Sequence, residues 1–110
     1  MPDTGDVVWL EFPGAIATKR RPAVVLSSTE YHAARPDVIV GLVTSQVLKA
    51  VASTDCILSD WRSAGLRLPS AFRAFLATLP RSAVITKMGR LSDSDWRAVC
   101  ECTKRATATS

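Results

Sequence analysis

The apolar positions of the chain fall into short runs separated by turn formers, with one helical repeat near the C-terminus. Val7-Val8-Trp9-Leu10-Glu11-Phe12 is β-branched and aromatic and predicts a first strand, broken by Pro13-Gly14. The polar stretch from Ala15 to Arg21 ends in the basic triplet Lys19-Arg20-Arg21 and reads as loop. Pro22 opens a second strand through Ala23-Val24-Val25-Leu26, because the first strand position tolerates a residue that cannot donate. Ser28 to Arg35 fits one short helical turn, and Arg35-Pro36-Asp37 is a turn signal. Val38-Ile39-Val40-Gly41-Leu42-Val43 is apolar on both faces, which predicts a central strand. It ends in the polar triplet Thr44-Ser45-Gln46.

Val47 to Thr54 reads as loop and Asp55 to Leu58 as a short strand. Trp61-Arg62-Ser63-Ala64-Gly65 predicts a brief helix closed by glycine. Ser70 to Leu76 is a strand ended by Thr78-Leu79-Pro80, and Ala83 to Met88 is a last strand closed by Gly89. The C-terminal helix is the clearest element. Ser92 is a good N-cap, with Asp95 three residues on as a capping-box variant. Asp93 and Asp95 in the first turn and Lys104 and Arg105 in the last suit the helix dipole. Trp96, Val99, Cys100 and Thr103 share one face and are expected to pack on the sheet. The tail Ala106 to Ser110 is expected to fray. Several short strands and one terminal helix predict a small, strongly curved sheet or barrel.

Composition adds that the 110 residues fit one domain, 1–110, with an ordinary globular balance of 47% hydrophobic and 22% charged residues. The formal net charge of +4 is compatible with a polyanionic partner and equally with plain solubility. No segment approaches the roughly 18 apolar residues that span a bilayer. The polar, acidic start Met1-Pro2-Asp3-Thr4-Gly5-Asp6 carries no signal peptide pattern, so the cytoplasm is the expected address. Three cysteines, Cys56, Cys100 and Cys102, make an odd count unlike a disulfide framework. With His32 the only histidine, a zinc site is not expected; nor is any other metal or cofactor.

In order, these segments resemble the MazF/PemK toxin family over about Gly5 to Arg105. Gly5-Asp6-Val7-Val8-Trp9 resembles its opening strand, and Arg20-Arg21-Pro22-Ala23-Val24-Val25-Leu26-Ser27 its arginine-proline entry into the second strand. Val38 to Gln46 resembles the third strand with its terminal threonine-serine pair. Gly65-Leu66 with Pro69-Ser70, Thr78-Leu79, and Gly89-Arg90-Leu91-Ser92 complete the set. No single landmark is specific; six in order over one domain are hard to reach by chance. The resemblance implies a mainly β (α+β) fold, an SH3-like small barrel of five to seven strands with a C-terminal α-helix. It also implies a homodimer, metal-independent cleavage of single-stranded RNA and inhibition by a cognate antitoxin, with DNA contacted only through the antitoxin complex.

RNA carries its own nucleophile, the 2′-hydroxyl, so cleavage without metal needs alignment of that oxygen and stabilisation of charge on the phosphoryl oxygens. Arg21 is the first candidate catalytic cation, since its planar fork grips two oxygens and Pro22 restricts the chain beside it. Thr44, the first polar residue after the apolar strand, matches the family's catalytic threonine. Without the family, a solvated loop arginine and a turn-capping threonine are the better descriptions of the two. Lys19, Arg20, Ser45, Gln46 and Arg73 are candidate substrate-binding residues, with an exposed strand arginine the equal alternative for Arg73. Trp61 is the candidate for base stacking, with packing at the dimer or barrel edge the stronger alternative; Trp9 and Trp96 are expected in the core, and His32 at the surface.

Two departures matter. Many relatives carry an acidic residue a few positions after the glycine-leucine pair, where this chain has Ala74 or Phe75. The loop from Pro13 to Arg20 also looks compact, so RNA sequence preference does not transfer. The chain offers no clear general base, which motivates an alternative: a catalytically inactive relative acting as a protein- or RNA-binding module.

Overall fold

The computed structural model describes residues 2–12 and 16–108. Six strands, β1 (Asp6–Phe12), β2 (Lys19–Val25), β3 (Asp37–Thr44), β4 (Asp55–Ile57), β5 (Ala71–Pro80) and β6 (Val84–Arg90), form one antiparallel sheet in the order β4-β5-β3-β2-β1-β6. Helix α1 (Thr29–Ala34) links β2 to β3, and α2 (Asp93–Thr107) ends the chain. This is the expected mainly β architecture with a C-terminal helix. The sheet stays open, with β4 and β6 as its edges.

Apolar residues on alternate strand positions feed two cores, one on each face of the sheet. Val7, Val24, Val43 and Phe72 lie with Val99 and Cys102 of α2 on one face. Val8, Leu10, Ala23, Val25, Val38 and Val40 gather with Leu79 on the other. Since α1 buries none of its residues, the second face is shielded by the coiling of the sheet rather than by a helix. That explains why the apolar runs looked two-sided in the sequence.

The basic triplet differs from its sequence reading. Lys19, Arg20 and Arg21 are strand residues, paired with Phe12, Glu11 and Leu10 of β1, because β1 is long enough to template them. The breaker Pro13-Gly14 lies outside the described residues. Pro22 sits inside β2 opposite Trp9. The Val25 carbonyl accepts from Gly5 N–H (2.9 Å) on the β1 side, and Leu26 N–H donates to the Ile39 carbonyl (2.8 Å) on the β3 side. Strand alternation therefore turns the amide edge of Pro22 toward β3. The β2–β3 ladder stops at Ala23↔Leu42, one residue short of a position that has no N–H to give. Beyond it the two strands part.

The stretch Trp61 to Gly65 is a chain of turns, not a helix. Asp60 O accepts from Ala64 N (3.2 Å) and Trp61 O from Leu66 N (3.1 Å). Gly65 has φ +84°, and an added Cβ would run into the Met88 carbonyl of β6. The following β5 runs on through Thr78-Leu79-Pro80, because β3 pairs with it as far as Asp37↔Pro80. Gly41 lets it do so; a side chain there would overlap the Phe72 ring. Strand β6 likewise passes through Gly89 to Arg90.

In α2 the cap is as expected, with Ser92 Oγ accepting from Asp95 N (3.2 Å). The Asp95 carboxylate does not complete a capping box. It is buried and accepts from Ser59 N (3.0 Å) and Asp60 N (2.8 Å), tying the turn after β4 to the helix. This rotates the packed stripe to Asp95, Val99 and Cys102, with Cys100 half-buried beside it. The helix continues to Thr107, past the expected fraying point. No helix among the described residues is long and apolar enough to cross a membrane.

Candidate functional site

Where β2 and β3 part, a cavity of about 600 Å³ opens. Its floor is a row across three strands: Pro22 of β2 is the register partner of Trp9 in β1, and Trp9 is the partner of Thr86 in β6. One wall is the end of β3, with Val43, Thr44 and Ser45. The opposite wall is the segment Leu66, Arg67, Leu68 and Ser70, with Met88 beneath it. That wall is held at both ends. Gly65 lies against the Met88 backbone, and Ser70, itself buried, donates from Oγ to the Leu68 carbonyl (2.8 Å). Ser70 O also accepts from Leu58 N (3.0 Å).

Arg21 and Thr44 both line this cavity. Each lies two residues beyond the last β2–β3 pair, Ala23↔Leu42, one on either strand where the two part. Thr44 Oγ1 accepts from the backbone N–H of Gln46 (3.1 Å), which occupies a lone pair and leaves its proton free to donate outward. Arg20 and Ser45 line the cavity as well. By alternation Arg20 lies on the face of Pro22 and the cavity floor, whereas Arg21 lies on the face of its partner Leu10 and reaches the cavity where the strands splay.

The other candidates lie apart from it. Lys19 is exposed at the start of β2, opposite Phe12. Gln46 contributes its backbone to Thr44 and is not among the lining residues. Arg73 is exposed on β5, opposite Asp55 of β4, and does not line the cavity. His32 is half-buried rather than at the surface; its Nε2 shares a hydrogen bond with Ser27 Oγ (2.6 Å) and its carbonyl accepts from Arg81. Trp61 is half-buried against the core, with the Arg62 guanidinium over its ring at 4.9 Å from the centroid.

Two cavity residues escaped the sequence reading. The apolar run around Trp9 predicts a core position for it. Its flanking neighbours Val8 and Leu10 are indeed fully buried, but alternation sends Trp9 to the other face and onto the cavity floor. Arg67 sits between the Gly65-Leu66 and Pro69-Ser70 landmarks and adds a third guanidinium. All three arginines are exposed, and among the described residues none forms an ion pair. No carboxylate and no histidine are among the lining residues. The site is thus a positively charged cleft with hydroxyl donors on an apolar floor, suited to an anion attached to something flat or greasy.

The profile of a family described as "PemK-like, MazF-like toxin of type II toxin-antitoxin system" matches residues 3–106. The chain belongs to this family. Solved structures agree on the MazF-like fold. A mycobacterial endoribonuclease in complex with its cognate antitoxin superposes with a TM-score of 0.80 at 16% identity, covering 100% of this chain and 98% of that one. The Mycobacterium tuberculosis toxin MazF-mt6 gives 0.77 at 20% identity, covering 96% and 98%. MazF from Deinococcus radiodurans gives 0.77 at 23%, covering 98% and 97%. No curated protein gives a significant match. Measured against the MazF/PemK landmarks, the arginine-proline pair and the threonine-serine pair are the two segments that border the cavity from β2 and β3.

Proposed function

We propose that this chain is the toxin of a type II toxin–antitoxin pair and that its cavity cuts single-stranded RNA without a metal ion. The observation that carries this reading is the meeting of Arg21 and Thr44 in one cleft that holds two further unpaired guanidinium groups. A phosphodiester seated there has two of its oxygens gripped by Arg21, while the Thr44 hydroxyl donates to a phosphoryl oxygen. The adjacent 2′-oxygen attacks phosphorus, the 2′-O–P bond forms and the P–O5′ bond breaks. The products are a 2′,3′-cyclic phosphate and a 5′-hydroxyl. With no carboxylate or imidazole in the lining, the 2′-proton passes to water and the leaving 5′-oxygen takes one from water. Catalysis is then mainly charge stabilisation and alignment. Ser45 and Arg20 assist in holding the strand, and Lys19 and Arg73 add phosphate attraction farther along it. A cognate antitoxin is the expected inhibitor, a homodimer the expected assembly and the cytoplasm the expected setting.

The test is incubation of a mixed RNA pool with the protein in EDTA, followed by sequencing of the 5′-hydroxyl ends. Cleavage that persists in EDTA is expected, with Arg21→Ala and Thr44→Val each slowing it by roughly 100-fold or more. Arg21 is exposed and Thr44 only half-buried, so thermal midpoints are expected to stay near that of the parent. Undiminished cutting by Arg21→Ala removes the assignment. The lack of any carboxylate in the cleft favours one second reading, an inactive relative that binds RNA or protein. That reading predicts intact RNA after prolonged incubation.

A further inference from the structure

Among the described residues that line the cleft, Trp9 is the one aromatic. Its neighbours along β1 are fully buried on the opposite face, while Trp9 itself is half-exposed on the cavity floor. Across the sheet it is flanked by Pro22 and Thr86, small side chains that leave room above an indole. Among the described residues no other aromatic ring and no guanidinium packs on it, whereas the Trp61 ring is taken by Arg62. Leu68, which lines the same cavity, stands 58% exposed on a segment that the Gly65 contact and the Ser70 hydrogen bond hold in place. An exposed leucine and a half-exposed indole facing one cavity, with arginines beside them, form a slot whose surfaces are apolar and whose rim is cationic.

We propose that Trp9 is a stacking platform for one unpaired nucleobase next to the bound phosphate, with Leu68 as the opposing lip. This rests on the reading of the cleft as an RNA site. A flat base satisfies both halves of the slot: its π-face covers the indole while its own phosphate reaches Arg20 and Arg21. Stacking tolerates any base, so the slot fixes where the strand is threaded rather than which letter it reads. Trp9 is then a substrate-positioning residue whose loss weakens binding more than it slows the bond-breaking step at saturation.

The experiment uses a 2′-O-methyl RNA of about a dozen nucleotides that spans a mapped cut site and cannot be cleaved. One abasic position is moved along it, and affinity and tryptophan emission are read for the parent, Trp9→Phe and Trp9→Leu. In the parent, one abasic position is expected to cost roughly 5- to 100-fold in affinity and to abolish the quenching of tryptophan emission. Trp9→Phe retains most of the affinity. Trp9→Leu, which keeps an apolar side chain but no π-face, loses about 10-fold on the full strand and is indifferent to the abasic position. On cleavable RNA its KM rises by a similar factor with kcat little changed. An abasic penalty of the same size in Trp9→Leu overturns the proposal, as does a parent that binds the strand without quenching. Should Trp9→Leu not fold, the quenching comparison between the parent and Trp9→Phe decides alone. Strand cleavage with no sensitivity to base removal anywhere leaves the nuclease reading intact and refutes the slot. A parent that neither binds nor cuts RNA overturns both. If instead a peptide from an antitoxin quenches Trp9 and base removal has no effect, the slot belongs to a protein side chain and the proposal fails.

Discussion

Cys56 of β4 meets Cys102 of α2 where the short edge strand packs against the helix. Burial is the main cause that pushes the Cys56 thiol up from 9.0 to about 12; the Cys102 thiol in hydrogen-bond contact and the Asp95 and Asp55 carboxylates add to it. Burial also raises Cys100, opposed by Lys104. A thiol whose ionisation is harder in the folded state than in the unfolded chain favours folding fully below its ordinary value. That contribution is lost as pH rises from about 9 to about 12. A Cys56→Ser variant is therefore expected to lose stability less steeply over that window, measured as thermal midpoint against pH for both proteins. At neutral pH the folded protein is expected to leave Cys56 unmodified by iodoacetamide long after denatured chain has reacted. The choice of Cys102 over Cys100 as the packed thiol was beyond reach of helical periodicity. Counting from Trp96 selects Cys100; counting from Asp95 selects Cys102. Only the two backbone donors at Ser59 and Asp60 explain why a carboxylate marks the buried side.

At the level of elements, the turn chain ending at Gly65 supports the cavity wall. Gly65 meets both demands that exclude other residues, a left-handed φ of +84° and a close approach to the Met88 carbonyl. Gly65→Ala is expected to cost at least about 2 kcal/mol, a drop of roughly 8 °C or more in Tm by calorimetry, with a parallel loss of activity as the wall shifts. The sequence marked this glycine as a terminator. It did not reveal that the preceding residues form turns, because Trp61 and Ala64 suit a helix as well. The strand positions themselves were readable from β-branched runs such as Val38 to Val43, and Ser92 announced α2. Strand ends were less so: β5 outlasts Thr78-Leu79-Pro80 because a partner strand continues beside it, which no local pattern reports.

For the molecule as a whole, charge is what the proposed RNA strand would meet first. The chain carries a formal +4, and three of its guanidinium groups border one opening. If each contacts one phosphate of a single strand, the affinity falls with salt at a log–log slope of about 2. Arg21→Ala or Arg67→Ala is expected to lower that slope by about 0.7, read from binding to the uncleavable strand between low and physiological salt. The family likeness made Arg21 and Thr44 legible as a pair, although 23 positions separate them in the chain. Their common opening was not legible, since it depends on the β2–β3 register and on which way one proline turns its edge. Trp9 needed the strand alternation of β1, and Arg67 the contact of Gly65 with Met88, before either could be set at the cavity. Pro22 carries a wider meaning here. A gap made by the want of a single amide hydrogen is built into the backbone: among the described residues nothing has to break a β2–β3 hydrogen bond at Pro22 to open it. If the cleft takes RNA as proposed, capture by such a standing opening is set by diffusion and electrostatic attraction, and its restraint falls to a molecule that occupies it.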